Sequence, residues 1–378
     1  MPRSDFPRRA VITGIGPITA IGTGKEAFWN GLLAERSPIK KIDRFDPSPF
    51  VAHHAAQVDS FDPLDYFAPH RLKRLDRYSQ LAVASSSLAI ADSGLTCSPD
   101  SPDPRIGVSF GTALGGIANA EAEHSKFIDR GPKGVTRALA LQVFGGAAHS
   151  NIAIEYGLQG PGTTNSNSCA SANVALGDAL TWIRTGRADA VVAGAADAPL
   201  APLTYCAFDN IHTMSRWDSD PPGHACRPFD RSREGFVMGE GAATLVVEER
   251  QHAIDRGAHI YAEVLGFSHN NEAYHMTSPH PSGRPVRAAM TGALDDAGID
   301  RSEIDYINAH ASSTQLNDAN EATSIADVFG QRAFDIPISG TKPYTGHPLG
   351  ATGGMEIIAC LLGMQYGWVP EMGMSKAR

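Results

Sequence analysis

Residues 81 to 95 read LAVASSSLAIADSGL and are followed at 105 to 112 by the apolar run RIGVSFGT. The first stretch predicts an alanine-rich helix with Gly94 as a left-handed C-cap, and the second a buried strand. The same succession returns at 286 to 299 as VRAAMTGALDDAGI, with Gly298 in the capping place, followed by IDYINAHAS at 304 to 312. A second pair follows in the same order. CASANVALGDALTWIRTG (169 to 186) and HPLGATGGMEIIACLLGMQYG (347 to 367) read as small-residue helices opened by Cys169 and by His347. Alanine-rich helices resemble one another, but a matching order favours duplication. The expected fold is α/β, in two similar halves spanning 1–255 and 256–378, packed so that the two helix-opening turns meet at one centre.

The duplication is unequal. After its second helix the first half continues through two apolar strands, ADAVVAGAAD (188 to 197) and GAATLVVEE (241 to 249), whereas the second half ends in GWVPEMGMSKAR. By analogy the second half is expected to lack its last two strands.

With 378 residues, 42% of them hydrophobic, the chain can bury a large core. No apolar run reaches the roughly 18 to 20 residues of a bilayer span, so no membrane association is expected. The start, MPRSDFPRRAVITGIGPITAIG, is punctuated by Gly and Pro and reads as a first strand rather than an export signal. Its TGIGPIT could be a nucleotide-binding turn, but the third glycine of G-x-G-x-x-G is missing. A net charge of −9 argues against nucleic acid as a partner. One stretch departs from that balance: His70, Arg71, Lys73, Arg74 and Arg77 in HRLKRLDR, which on charge alone reads as a solvated helix face. The cysteines, Cys97, Cys169, Cys206, Cys226 and Cys360, are odd in number and never form C-x-x-C. No disulfide framework and no metal site are expected, and a reducing cytoplasm fits.

Cys169 stands in TTNSNSCASAN (163 to 173), among neighbours too small to cover it. At a helix start the macrodipole and unpaired N–H groups would stabilise its thiolate, lower its pKa and face an oxyanion forming on an attached carbonyl. The competing reading is a buried, inert thiol. YINAHASSTQLNDANE (306 to 321) puts His310 at a strand end, and an extended backbone after it would place Ser312 and Thr314 on one face. Asp318 and Glu321 have the spacing of a capping box. ISGTKPYTGHPLGATGGME (338 to 356) sets Lys342 and His347 in a glycine-rich turn. Glu356 falls in an otherwise apolar helix and would need a buried partner, which Lys342 could be.

These motifs together resemble the elongating β-ketoacyl-acyl carrier protein synthases, the condensing enzymes of fatty acid and polyketide synthesis. The resemblance runs from AVITGIGPITAIG through NSCASAN, RPFDRSREGFVMGEGAA, NAHASSTQLND and TKPYTGHPLGATGG. It implies a thiolase-like fold in a layered αβαβα arrangement. It also implies that Cys169 takes an acyl group from carrier-protein phosphopantetheine, and that His310 and His347 bind the malonyl thioester carbonyl and promote loss of carbon dioxide. Lys342 matches the family's active-site lysine, supported by Asp318, Glu321 and Glu356. Ser312 and Thr314 match contacts to the pantetheine arm, Leu114 and Phe208 the acyl pocket. Arg71, Lys73, Arg74 and Arg77 match the region that docks the acidic acyl carrier protein. No cofactor is implied, since phosphopantetheine arrives on that partner. A homodimer is the family expectation, with a heterodimer as the alternative.

Two departures stand out. Ala311 and Ser312 replace the family's usual Gly and Thr, and nothing in the chain matches the family's C-terminal glycine-rich loop, which gates the acyl pocket and completes the oxyanion hole. A truncated second half is therefore expected on both grounds. The competing function is a catalytically weak partner subunit, against which Cys169 is itself an argument, because such partners replace the nucleophile. A degradative thiolase would use a second C-terminal cysteine, but Cys360 in IIACLLGM reads as core.

Overall fold

The computed structural model describes residues 8–371. The extreme ends quoted above, residues 1–7 and 372–378, lie outside the described residues. The main sheet is built from β1 (Ala10–Thr19), β2 (Ile106–Gly111), β3 (Gly162–Asn165), β4 (Ala190–Asp197), β5 (Gly241–Glu249) and β6 (Ala262–Val264). Their order is β6-β1-β5-β4-β2-β3, with a two-residue strand, Gly22–Thr23, paired to β1. β2 runs parallel to β3 and β4, while β5 runs antiparallel to both β1 and β4.

Strands buried on both faces read as continuous apolar runs, and alternate residues then serve opposite layers. Along β4, Ala190, Val192 and Ala196 join one core with α1 (Arg77–Ser93), whereas Val191 and Ala193 join another. That second core holds α2 (Ser171–Arg184) and, from the second half, Met355, Ile358 and Leu362. Each such side chain contributes about 1.5–3 kcal/mol on full burial. α1 lies directly on β1. A Cβ at Gly16 would meet the Ser85 carbonyl at 2.1 Å, and one at Gly14 the Ala89 carbonyl at 2.2 Å. The glycines of TGIGPIT thus serve helix contact inside a strand, which overturns the nucleotide-turn alternative.

The second half repeats the pattern with α3 (Arg284–Ala297), β7 (Ile307–Asn308), α4 (Gln315–Phe329), β8 (Ile338–Ser339) and α5 (Thr352–Tyr366). β7 pairs parallel to β8, as β2 does to β3. Gly94 and Gly298 both adopt the left-handed cap at φ 65°. Ile325, Val328, Phe329 and Ile336 form a separate core, packed by Met290 and Leu294 of α3. The layers are therefore α1, main sheet, α2 with α5, small sheet, and α3 with α4. Among the described residues, which end five residues after α5, nothing corresponds to β4 and β5.

The two echoing helices begin later than the sequence suggests. Cys169 sits in a 3-10 turn, Ser168–Ala170, ahead of α2, and α5 follows a matching 3-10 turn, Leu349–Ala351. Ser168 and Leu349 both have positive φ, 49° and 42°. The structural counterpart of Cys169 is therefore Gly350, not His347, which lies upstream of its turn.

Candidate active site

The Cys169 turn is held from both sides. Asn165 at the end of β3 donates to the Ser171 carbonyl at 3.1 Å, and Ser171 Oγ donates to the Ser168 carbonyl at 2.8 Å. Small residues are needed where α5 crosses α2, because a Cβ at Gly353 would lie 2.3 Å from Asn173 Oδ1. The expected fall in the thiol pKa is not found. Burial pushes Cys169 up to about 11, opposed by the Lys342 ammonium and reinforced by Asp197. The physical reason is the late helix start: the aligned peptides of α2 begin at Ser171, and removal of the thiol from water outweighs the short turn's dipole.

His347 is buried and tightly fixed. Its N–H donates to the Val237 carbonyl at 2.7 Å and its carbonyl accepts from Gly239 at 3.0 Å. Its Nε2 lies 3.0 Å from Cys169 Sγ, its Nδ1 2.8 Å from Thr352 Oγ1, and the Phe236 ring meets it edge-on at 5.3 Å. His310 follows β7, and its ring stands 5.4 Å from that of His347 at 80°. Glu321 of α4 accepts from the backbone N–H of His310 at 2.6 Å and of Ala311 at 2.8 Å.

Lys342 is fully buried. Its ammonium donates to Glu356 at 2.7 Å and to the His310 carbonyl, and lies 3.5 Å from His310 Nδ1. Both imidazoles are held well below their ordinary pKa, by burial first and by Lys342 second. Burial likewise raises Glu321 and Glu356, with Lys342 acting against it in each. At neutral pH the site therefore presents two uncharged rings. A Lys342 proton directed at Nδ1 of His310 leaves that ring's own proton on Nε2. Neutral rings that can donate N–H bonds suit a developing enolate oxygen.

The remaining expected residues divide. Asp318 is not part of the Lys342 network; its carboxylate accepts from the Phe229 N–H at 2.8 Å and pairs with Arg233 at 3.5 Å. It faces the 227–233 segment because α4 starts at Gln315, with Thr314 as N-cap accepting from Asn317. This start also removes the capping-box reading of Asp318 and Glu321. Ser312 and Thr314 do meet, their hydroxyls 2.9 Å apart, but through left-handed Ala311 (φ 45°) and Ser313 (φ 67°) rather than an extended backbone. Phe208 reaches the site through Phe236, on which it stacks edge-on at 6.0 Å. Leu114 donates its backbone N–H to Asp197 at 3.0 Å.

In the basic stretch, Lys73 and Arg74 are exposed. Arg77 is not a free docking charge: it grips buried Glu240 through two nitrogens, at 2.7 and 2.9 Å. Arg71 is paired with Glu155 at 2.5 Å. Sequence reasoning missed Phe236, Thr352 and Asp197. Asp197 carried a signal, a lone charge ending an apolar strand. Fully buried, it accepts from Thr112 Oγ1 at 2.7 Å, from the N–H groups of Ala113 and Leu114, and from Gly350 N–H at 2.8 Å. It thereby ties the Leu114 loop to the turn that follows His347.

A layered fold with a thiol, two neutral histidines and a buried lysine at the meeting of its halves defines a condensing enzyme of thiolase-like architecture. Known proteins agree. The N-terminal domain of β-ketoacyl synthases matches residues 8–253 and their C-terminal domain residues 261–374. The chain belongs to the β-ketoacyl synthase family. It is 43% identical over 370 residues to the tetracenomycin polyketide synthase ketoacyl synthase alpha subunit of Streptomyces glaucescens, covering 96% of this chain and 86% of that one. It is 37% identical to 3-oxoacyl-[acyl-carrier-protein] synthase 2 of Synechocystis sp., covering 96% and 87%. Among solved structures, the ishigamide ketosynthase/chain length factor has a TM-score of 0.88 at 34% identity, covering 96% and 87%. A type II polyketide synthase acyl-carrier protein in complex with its ketosynthase, bound to the hexaketide, has 0.87 at 34%, covering 95% and 86%.

Proposed function

We propose that this chain catalyses decarboxylative Claisen condensation in fatty acid or polyketide synthesis. An acyl group passes to Cys169 from one acyl carrier protein, which leaves free, and is then joined to a malonyl unit on another, giving 3-oxoacyl-carrier protein, carbon dioxide and the regenerated thiol. The observation that carries this reading is the Cys169 sulfur 3.0 Å from His347 Nε2, with His310 and Lys342 closing the same centre.

In the first half-reaction the Cys169 sulfur attacks the acyl thioester, and the thiol proton passes to the departing pantetheine sulfur. A thiol held near 11 is not a standing thiolate at neutral pH, so its proton leaves in step with attack, with His347 in reach to carry it. In the second, the bond to the malonyl carboxylate breaks, releasing carbon dioxide, and its electron pair becomes an enolate. The two imidazole N–H groups stabilise that oxygen, His347 now carrying its proton on Nε2 while Nδ1 accepts from Thr352 Oγ1. The enolate carbon then bonds to the Cys169-bound acyl carbon, and the expelled sulfur takes up a proton. Lys342 serves by keeping the rings uncharged and His310 in place.

Acyl carrier protein is the proposed partner, supplying phosphopantetheine so that the chain needs no cofactor of its own. Lys73 and Arg74 are proposed to meet its acidic surface, in a homodimer or beside a second ketosynthase-like chain. No described helix is long and apolar enough to cross a membrane. Incubation with acyl-carrier protein should leave a thioester on Cys169 by mass spectrometry, and malonyl-carrier protein should then release carbon dioxide and the 3-oxoacyl product. Undiminished condensation by Cys169→Gln would overturn the assignment.

A further inference from the structure

We infer that Cys169, His310 and His347 also form a binding site for a soft divalent cation of the zinc class, which closes the catalytic centre reversibly. One ligand atom from each residue lies within 4.8 Å of the other two, and Cys169 Sγ is 3.0 Å from His347 Nε2. A tetrahedral zinc with bonds of about 2.3 Å to sulfur and 2.0–2.1 Å to nitrogen spaces such ligands about 3.4–3.6 Å apart. The cluster therefore needs displacements on the order of 1 Å, not a rearranged backbone. One thiolate with two imidazoles is a borderline-soft donor set, suited to zinc or cadmium and poorly suited to magnesium or calcium.

The surroundings are those of a ligand set. His347 is oriented by Thr352 Oγ1 at 2.8 Å on its other nitrogen, the outer contact that aims a metal-binding imidazole. The backbone of His310 is pinned by Glu321. The Lys342 charge, which would repel a cation, is offset by Glu356 at 2.7 Å. Ser166, Asn167, Ser168 and Ala170 beside the thiol are exposed, so an ion can enter. The fourth position is left to water, as in an open zinc site. Binding balances as Cys–SH plus M²⁺ giving Cys–S–M⁺ plus H⁺, with each imidazole joining as the neutral ring after its proton has shifted to the nitrogen that the metal does not take. The metal occupies the sulfur lone pair that attacks the acyl donor, so metal and acyl group exclude each other.

The inference requires only these three side chains and not the condensation, so the two can fail separately. Cadmium chloride is titrated into the chelator-treated protein without acyl donor, and thiolate-to-cadmium charge-transfer absorption is followed. We expect one Cys169-dependent equivalent, displaced by zinc, and affinity at least about 10-fold weaker in His310→Ala and in His347→Ala. At zinc about 100 times its Kd, alkylation of Cys169 by iodoacetamide should slow about 100-fold and recover with chelator. The same absorption in Cys169→Ser, equal affinity in both histidine variants, or unchanged alkylation would each overturn the inference. A chain that gives the cadmium signal but never accepts an acyl group would leave the site standing and sink the proposed function.

Discussion

The elevated Cys169 pKa makes a prediction in which the perturbation is pH itself. Alkylation by iodoacetamide follows the thiolate, whose fraction rises tenfold per pH unit until the pKa is reached. With Cys169 at about 11, the rate should rise roughly 100-fold between pH 7.5 and 9.5, without flattening. An ordinary thiol near 8.5 would gain only about tenfold over that interval and level off. At pH 7.5 the thiolate is about 300-fold scarcer than for such a thiol. The more basic sulfur is about 10-fold more nucleophilic, from a Brønsted slope of about 0.4–0.5, so Cys169 should react about 30-fold more slowly overall. The sign also fixes a variant: Lys342 pulls the Cys169 pKa down, so Lys342→Met should slow alkylation further. Peptide-resolved mass spectrometry is the assay, because Cys97 is raised to about 11 as well. A Cys169 rate that flattens below pH 9 would show a thiolate already formed and refute the dominance of burial.

Three further outcomes follow from the site and its rim. Replacing His310 or His347 by Ala should each slow carbon dioxide release from malonyl-carrier protein about 100- to 1000-fold, while the His310 variant still forms the Cys169 thioester in a mass assay. In the basic stretch, Lys73→Glu with Arg74→Glu should weaken carrier-protein binding in a salt-dependent way at constant Tm. Arg77→Ala should instead lower Tm, by about 1.5–3 kcal/mol of stability, because Glu240 beneath it is 1% exposed.

Much of the fold was legible because its cues are local. The αL glycines after α1 and α3, the apolar runs of β4 and β5, and the repeated order of elements all survive intact, since each depends on the chemistry of neighbouring residues. Helix starts were less legible. Ser168 and Leu349 take positive φ to make the two 3-10 turns, and neither residue type announces such a conformation. Glu356 was readable as needing a cation because a charge inside an apolar helix has few alternatives. Asp318 and Glu321 look equivalent in NDANE, yet one holds the 227–233 segment and the other the His310 backbone. That division follows from where α4 begins.

Taken alone, the sequence determined the duplication, the α/β layers, the identity of the thiol, the two histidines and the lysine, and the family that their order implies. Tertiary structure decided their states. It set the Cys169 sulfur against His347 Nε2, buried Lys342 beside His310 and Glu356, and withdrew Arg77 to Glu240. It also reversed the direction of the Cys169 pKa shift. Residue order records which groups are present and the periods at which they recur. Protonation and partnership depend on the water excluded and the charges approached, and both are set by segments as far apart as Cys169 and His347, 178 residues along the chain.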